Sequence, residues 1–247
     1  MSNEYQILLL VVAGVAAGLG GSIAGIASIF SYPALLAVGL SPIDANVTNS
    51  VSLFCLSAGS ILGSRRELVG RGKLLKQMAP ANLVGGVLGA ILLLQTSSTT
   101  FRHIVPFLLL VASLAILIPR RGNAQFEPRI HIRVMQILAG LIGIYCGYFG
   151  AASGSMTLAL MIQTLGVGLP VANALKNVLL GISNGVAAVI FMFGGHVHWL
   201  IAIPLAIGFF IGGRTGPIIV RHAPQKILQR GVSVFGIGVA LWLLAKL

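Results

Sequence analysis

Five stretches of this chain contain no acidic or basic side chain: Tyr5 to Ile43, Ala45 to Ser64, Gln77 to Phe101, Val134 to Leu175 and Asn177 to Gly213. Apolar runs of about 18 residues or more are long enough to cross a hydrocarbon core of about 30 Å as helices. No water is available there to satisfy the backbone, so such runs have to be helical or form closed barrels. Runs this long and unbroken by charge predict an all-α, polytopic integral membrane helix bundle. Composition agrees, since only 8% of the residues are charged and 57% are hydrophobic, against about a quarter charged in a soluble domain.

The 16 Lys and Arg residues outnumber the 4 acids and give a net charge of +12. In a soluble protein that excess would suggest nucleic acid, but here the cations sit in short connecting loops, where the positive-inside rule accounts for them. With no basic domain and no aromatic platform, nucleic acid is not an expected partner. Met1 to Glu4 carries an acid and no cation ahead of the first apolar run, so the first helix is expected to be retained and not cleaved as a signal peptide. Cys55 and Cys146 fall inside apolar runs, where thiols behave as small hydrophobes. Neither a disulfide framework nor a zinc site is indicated, and no cofactor is expected.

Breaks in hydropathy place apolar segments at about 5–20, 23–40, 45–63, 74–95 and 102–119, then at 134–150, 153–168, 171–193, 199–220 and 227–246. That is about 8 to 10 transmembrane segments. Arg120 to Arg133 is the one markedly polar stretch between them. It divides the chain into a first transmembrane repeat (1–119), a cytoplasmic linker (120–133) and a second transmembrane repeat (134–247). The halves are internally similar: Gly14, Gly18, Gly21, Gly25 and Gly39 match Gly143, Gly147, Gly150, Gly154 and Gly168 at an offset of 129, and Gly85, Gly86 and Gly89 match Gly212, Gly213 and Gly216 at 127. An ordered set of matches at nearly one offset predicts a tandem duplication.

Charge decides how the halves are oriented. The loop after the third segment carries Arg65, Arg66, Arg71, Lys73 and Lys76, whereas its counterpart near His196 carries no Lys or Arg; near Arg102 the balance reverses, because the counterpart loop holds Arg221, Lys226 and Arg230. Equivalent loops with exchanged charge face opposite sides of the membrane, which predicts inverted repeats with both termini outside. Either five crossings per half or a re-entrant hairpin at the start of each half satisfies this.

The strongest local feature is a glycine-rich break early in each half, at Gly14 to Gly25 and Gly140 to Gly154. A continuous helix over 5–40 would be roughly 54 Å long, so it has to break, and broken helices present a positive dipole end to whatever is bound between them. Such an end favours an anion, with Ser22, Ser28, Ser153 and Ser155 beside it. Isolated small-residue pairs such as Gly59 and Gly63, or Gly181 and Gly185, have the plainer reading of close helix packing. Beyond the breaks, Pro42 and Pro170 each open a helix that carries Asn46 and Asn49, or Asn173 and Asn177.

Lys176 is the one ammonium between two long charge-free runs. A membrane cation of this kind is costly and either snorkels to the basic face or meets an anion. Arg214 has the same two readings, tilted towards snorkelling. The four carboxylates, Glu4, Asp44, Glu67 and Glu127, all fall at the terminus or in loops. None is embedded to carry protons or cations, so the expected substrate is a small anion, and an intramembrane hydrolase lacks its acid, base or metal. His196 and His198 have no third ligand nearby, so no metal site is expected.

The glycine-rich break running into Tyr32-Pro33-Ala34-Leu35-Leu36, then Gly39-Leu40-Ser41-Pro42, Ala45 to Ser50 and the Gly85 to Ala90 stretch, resembles the TauE/SafE sulfite exporter family over nearly the whole chain. The resemblance implies a multi-pass permease of the bacterial inner (plasma) membrane, with sulfite, sulfonates and related organic anions as the substrate class. The expectation is therefore a non-enzymatic secondary transporter working by alternating access. A passive anion channel is the alternative, and an intramembrane enzyme or insertion factor a more distant one. Gly21, Ser22, Gly25, Asn49, Gly150, Ser153, Gly154 and Asn177 are expected to line the substrate site, with Lys176 supplying countercharge and no catalytic residue.

Overall fold

The computed structural model describes residues 3–117, 131–194 and 196–221, with Ile237, Gly238 and Leu241 beyond them. The described residues form ten helices and no strands: α1 (Asn3–Ala24), α2 (Ala27–Ala37), α3 (Pro42–Gly63), α4 (Arg65–Leu68), α5 (Gly72–Gln95), α6 (Ser98–Leu117), α7 (Ile132–Tyr148), α8 (Ser153–Leu165), α9 (Leu169–Gly194) and α10 (Trp199–Val220). Five of these, α1, α3, α5, α9 and α10, are long and apolar enough to cross a membrane. Most of the linker at 120–133 and the last expected segment, 227–246, lie outside the described residues.

The start of α3 is set by local chemistry. Pro42 occupies the first turn of α3, where its missing N–H costs nothing. Ser41 Oγ accepts from the Asp44 backbone N–H at 3.2 Å and donates to the Asp44 carboxylate at 2.7 Å, a reciprocal cap that fixes the start of that helix. The expected break after α1 occurs at Gly25 and Ile26. Gly14 and Gly18, which the sequence places in the same glycine-rich stretch, lie instead within an uninterrupted α1. Their missing side chains serve packing: a Cβ on Gly14 would meet Leu205 O and the Gly208 Cα, and one on Gly18 would meet Phe209 O and the Gly212 Cα. Gly85 and Gly89 of α5 meet the backbone of α7 in the same way, around Gly140, Ile144 and Gly147. Backbone-to-backbone approach is how apolar helices gain dispersion energy when no water is left to expel.

These contacts also give the direction of each helix. α1 and α10 run side by side in the same sense, since residues 14 and 18 meet 205–208 and 209–212. α5 and α7 do likewise, whereas α3 and α9 are antiparallel, with Gly181 against Ser57 and Ile61 and Gly185 against Phe54. One end of the bundle gathers the cations. There Arg221 donates to Glu67 at 2.7 and 3.1 Å and to Gly63 O at 3.1 Å, and Gln136 Nε2 donates to Gln77 O at 2.9 Å, close to Arg133 and Lys76.

The Arg221 hydrogen bond holds the Glu67 carboxyl below its ordinary range, against a smaller opposing effect of burial. A depressed folded-state pKa contributes stability above the unfolded carboxylate value of about 4.3. That contribution is lost as pH falls through the lowered value. Glu67→Gln is expected to cost about 1 kcal/mol at neutral pH, as for a partly exposed bidentate pair, and to flatten the acid limb of stability, measured by thermal unfolding in detergent across pH 3 to 7.

Candidate functional site

The two breaks meet at the centre of the molecule. Gly25 lies against the backbone of Gly154, so the positions that the 129-residue offset equates are in contact. Gly25 has φ +78°, a conformation other L residues rarely adopt. The second break carries Ala152 at φ 57°, a left-handed residue without glycine's freedom and thus a site of stored strain. Ser155 Oγ donates across the contact to Ala24 O. Phe149 seats the second break between Tyr32 and Phe101, in edge-on ring contacts at 5.5 and 5.9 Å.

The half-helices that follow, α2 and α8, have 11 and 13 residues. At 1.5 Å per residue neither reaches across a 30 Å core. α2 turns back on α1, with the Phe30 ring over Gly20. Both half-helices begin at one central cavity of about 30 Å³, lined by Ala27 and Ser28 of α2, Ser153 of α8, Gly21 of α1, Gly25 and Gly150 at the breaks, Leu53, Leu56 and Ser57 of α3, and Leu180, Asn177 and Asn184 of α9. One water needs about 10–15 Å³, so the cavity takes about two. It sits midway along both α3 and α9.

Five of the nine expected site residues, Gly21, Gly25, Gly150, Ser153 and Asn177, line the cavity. The other four, Ser22, Asn49, Gly154 and Lys176, stand in the wall behind it. Ser22 Oγ bonds Gly18 O at 2.7 Å and Gly212 O at 3.3 Å. Asn49 Nδ2 donates to Ser28 Oγ at 3.1 Å, thereby orienting a hydroxyl that does line the cavity. Lys176 is 0% exposed. Its ammonium donates to Gly21 O and Ser22 O, both at 3.0 Å. These carbonyls belong to the last turn of α1, the negative end of its dipole. The ammonium therefore does not snorkel, and it stands directly behind the cavity wall at Gly21. Asn46 plays the reciprocal part from α3, donating to Tyr148 O at the end of α7 at 2.8 Å.

Ser57 and Asn184 also line the cavity, and sequence reasoning did not single them out. Ser57 Oγ is buried with no hydrogen-bond partner, and Asn184 accepts a 3.4 Å contact from Cys146 Sγ. Their positions, 127 residues apart, are the offset already seen in the glycines, which was the available signal. The cavity lining contains no carboxylate. Arg214 is exposed on α10. His198 lies 3.9 Å from Asp44 at the end away from the cations, and among the described residues no three potential metal ligands cluster.

The family model for the sulfite exporter TauE/SafE matches residues 10–243. The chain belongs to the TauE/SafE family. "Probable membrane transporter protein YfcA" of Escherichia coli (strain K12) is 31% identical over 219 residues, covering 86% of this chain and 80% of its own length. "Probable membrane transporter protein ORF9" of Sinorhizobium sp is 31% identical over 247 residues, covering 98% and 93%. "Sulfite exporter TauE/SafE family protein 1" of Arabidopsis thaliana is 25% identical over 120 residues, 49% of this chain and 26% of its own. As a TauE/SafE protein with five long apolar helices, the chain is a multi-pass membrane transporter.

Proposed function

We propose that this TauE/SafE protein is a secondary transporter that carries a small anion, sulfite or a sulfonate, by alternating access between two inverted halves in the bacterial inner membrane. The observation that carries the reading is the central cavity, where two half-helix N-termini open onto neutral hydrogen-bond donors and no carboxylate. Backbone N–H groups at such ends, with the dipole behind them, favour negative charge. Ser28, Ser57, Asn177 and Asn184 add side-chain donors. Lys176 places a positive charge one carbonyl behind the wall. Inversion is supported by helix direction, since α1 and α7, α3 and α9, and α5 and α10, equated by the offsets, run in opposite senses. With the cationic end at the cytoplasm, the positive-inside rule is met.

An oxyanion of four or five heavy atoms fits a two-water cavity only once the walls separate, which a rocking of one half against the other would achieve. In proteoliposomes, labelled sulfite is expected to enter against unlabelled sulfite trapped inside, and Asn184→Leu should reduce that exchange at least tenfold without loss of folded protein. Flux that shows no trans-stimulation would make the protein a channel. Exchange unaffected by Asn184→Leu would remove the cavity from the pathway.

A further inference from the structure

Away from the central cavity, a groove of about 620 Å³ runs along the outer face between α5 and α7. Its walls are Val84 and Leu88 on one side and Ile137, Leu141 and Ile144 on the other, and its floor is formed where Gly85 and Gly140 bring the backbones together. The walls are well exposed, 54% at Val84 and 63% at Ile137. At the cationic end the lining changes to Arg133 and Gln136. Lys73 continues the same stripe of α5, eleven residues or about three turns before Val84. From Arg133 to Ile144 the helix rises roughly 16 Å, half of a 30 Å core, which is the depth of one leaflet. At the equivalent end of the α1–α10 pair, the offset of 129 puts Glu4 where Arg133 stands, so the cation is not repeated there.

We propose that this groove is a binding site for an anionic glycerophospholipid, with its phosphate on Arg133 and one acyl chain lying between α5 and α7. A guanidinium presents a planar pair of donors that matches phosphate oxygens, and basic pockets between helices on the cationic face recognise lipid headgroups. A second copy of the chain is a poorer occupant. Among the described acids, Glu67 is held by Arg221, and Glu4 and Asp44 lie at the far end of the bundle.

The test uses the full chain in neutral detergent, with lipid retention read by native mass spectrometry and stability by thermal unfolding. The probes are dioleoyl phosphatidylglycerol, dioleoyl phosphatidylcholine and glycerol phosphate without tails. Phosphatidylglycerol alone is expected to be retained and to raise the unfolding midpoint. Arg133→Gln should reduce that retention at least tenfold. So should Gly140→Leu, because a Cβ there meets nothing nearer than 3.5 Å and its side chain has room only in the groove. Both variants should keep the lipid-free midpoint, and if Gly140→Leu folds poorly, Arg133→Gln decides alone. Equal retention of the two lipids, retention unchanged in Arg133→Gln, stabilisation by glycerol phosphate alone, or a dimer mass that Gly140→Leu abolishes would each overturn the proposal.

Discussion

Gly25→Ala is expected to be the most damaging single substitution in the chain. The new methyl would overlap the backbone of Gly154 and Ser155, not a side-chain tip that can swing away, and the residue would have to hold φ +78°. The left-handed conformation alone costs roughly 1–2 kcal/mol, and forcing two backbones apart adds the price of overpacking, typically 1–3 kcal/mol. A loss of about 4 kcal/mol is enough to empty the folded state of a marginally stable protein. Gly39→Ala separates the two causes, because Gly39 has φ +95° with nothing within 4 Å of the added methyl. That variant should lose only the conformational part. Both are measured as thermal unfolding in detergent and as yield of monodisperse protein. Equal losses in the two variants would show that the Gly25–Gly154 contact is not what holds the breaks together.

The second large effect is expected at Lys176. Replacing it with Ala removes three buried methylenes and the donor to two carbonyls at the end of α1, of which Gly21 O keeps the Gly25 N–H at 2.8 Å. Cavity formation and the lost charge-assisted hydrogen bonds together amount to about 3 kcal/mol. Lys176→Met keeps most of the stem and removes only the ammonium, so it should recover the packing part of that loss and leave a deficit of about 1–2 kcal/mol. The proposed transport makes a further demand on the Met variant. With the charge behind Gly21 gone, sulfite exchange per folded molecule should fall at least tenfold. A Met variant that is destabilised yet exchanges sulfite at the wild-type rate would make Lys176 a cap for α1 and nothing more.

The reciprocal pair of caps explains why this lysine was hard to read. At a bare sequence level, an ammonium between charge-free runs has two outcomes, a polar surface or a bound anion. The fold supplies a third, because α9 reaches the end of α1 while α3 reaches the end of α7. Asn49 is similar. Its amide was expected at the site, and it acts from one layer behind, on the Ser28 hydroxyl.

Membrane class, helical architecture and the presence of two broken segments were legible in the chain because each rests on local arithmetic. Uncharged length sets what must lie in lipid, and helix rise against bilayer thickness sets what must break. The offset between matching glycines was legible for a related reason, since glycines at close backbone contacts leave a fixed spacing in the chain. The particular break point was not. Gly14, Gly18 and Gly25 look alike in sequence, and only the partner facing each one separates packing at Gly208 and Gly212 from a turn at Gly154. The composition of the cavity depended on the same thing. Ser57 and Asn184 are ordinary polar residues in apolar helices until α3 and α9 cross midway, and that crossing is an interaction between residues more than a hundred positions apart, which no local periodicity encodes.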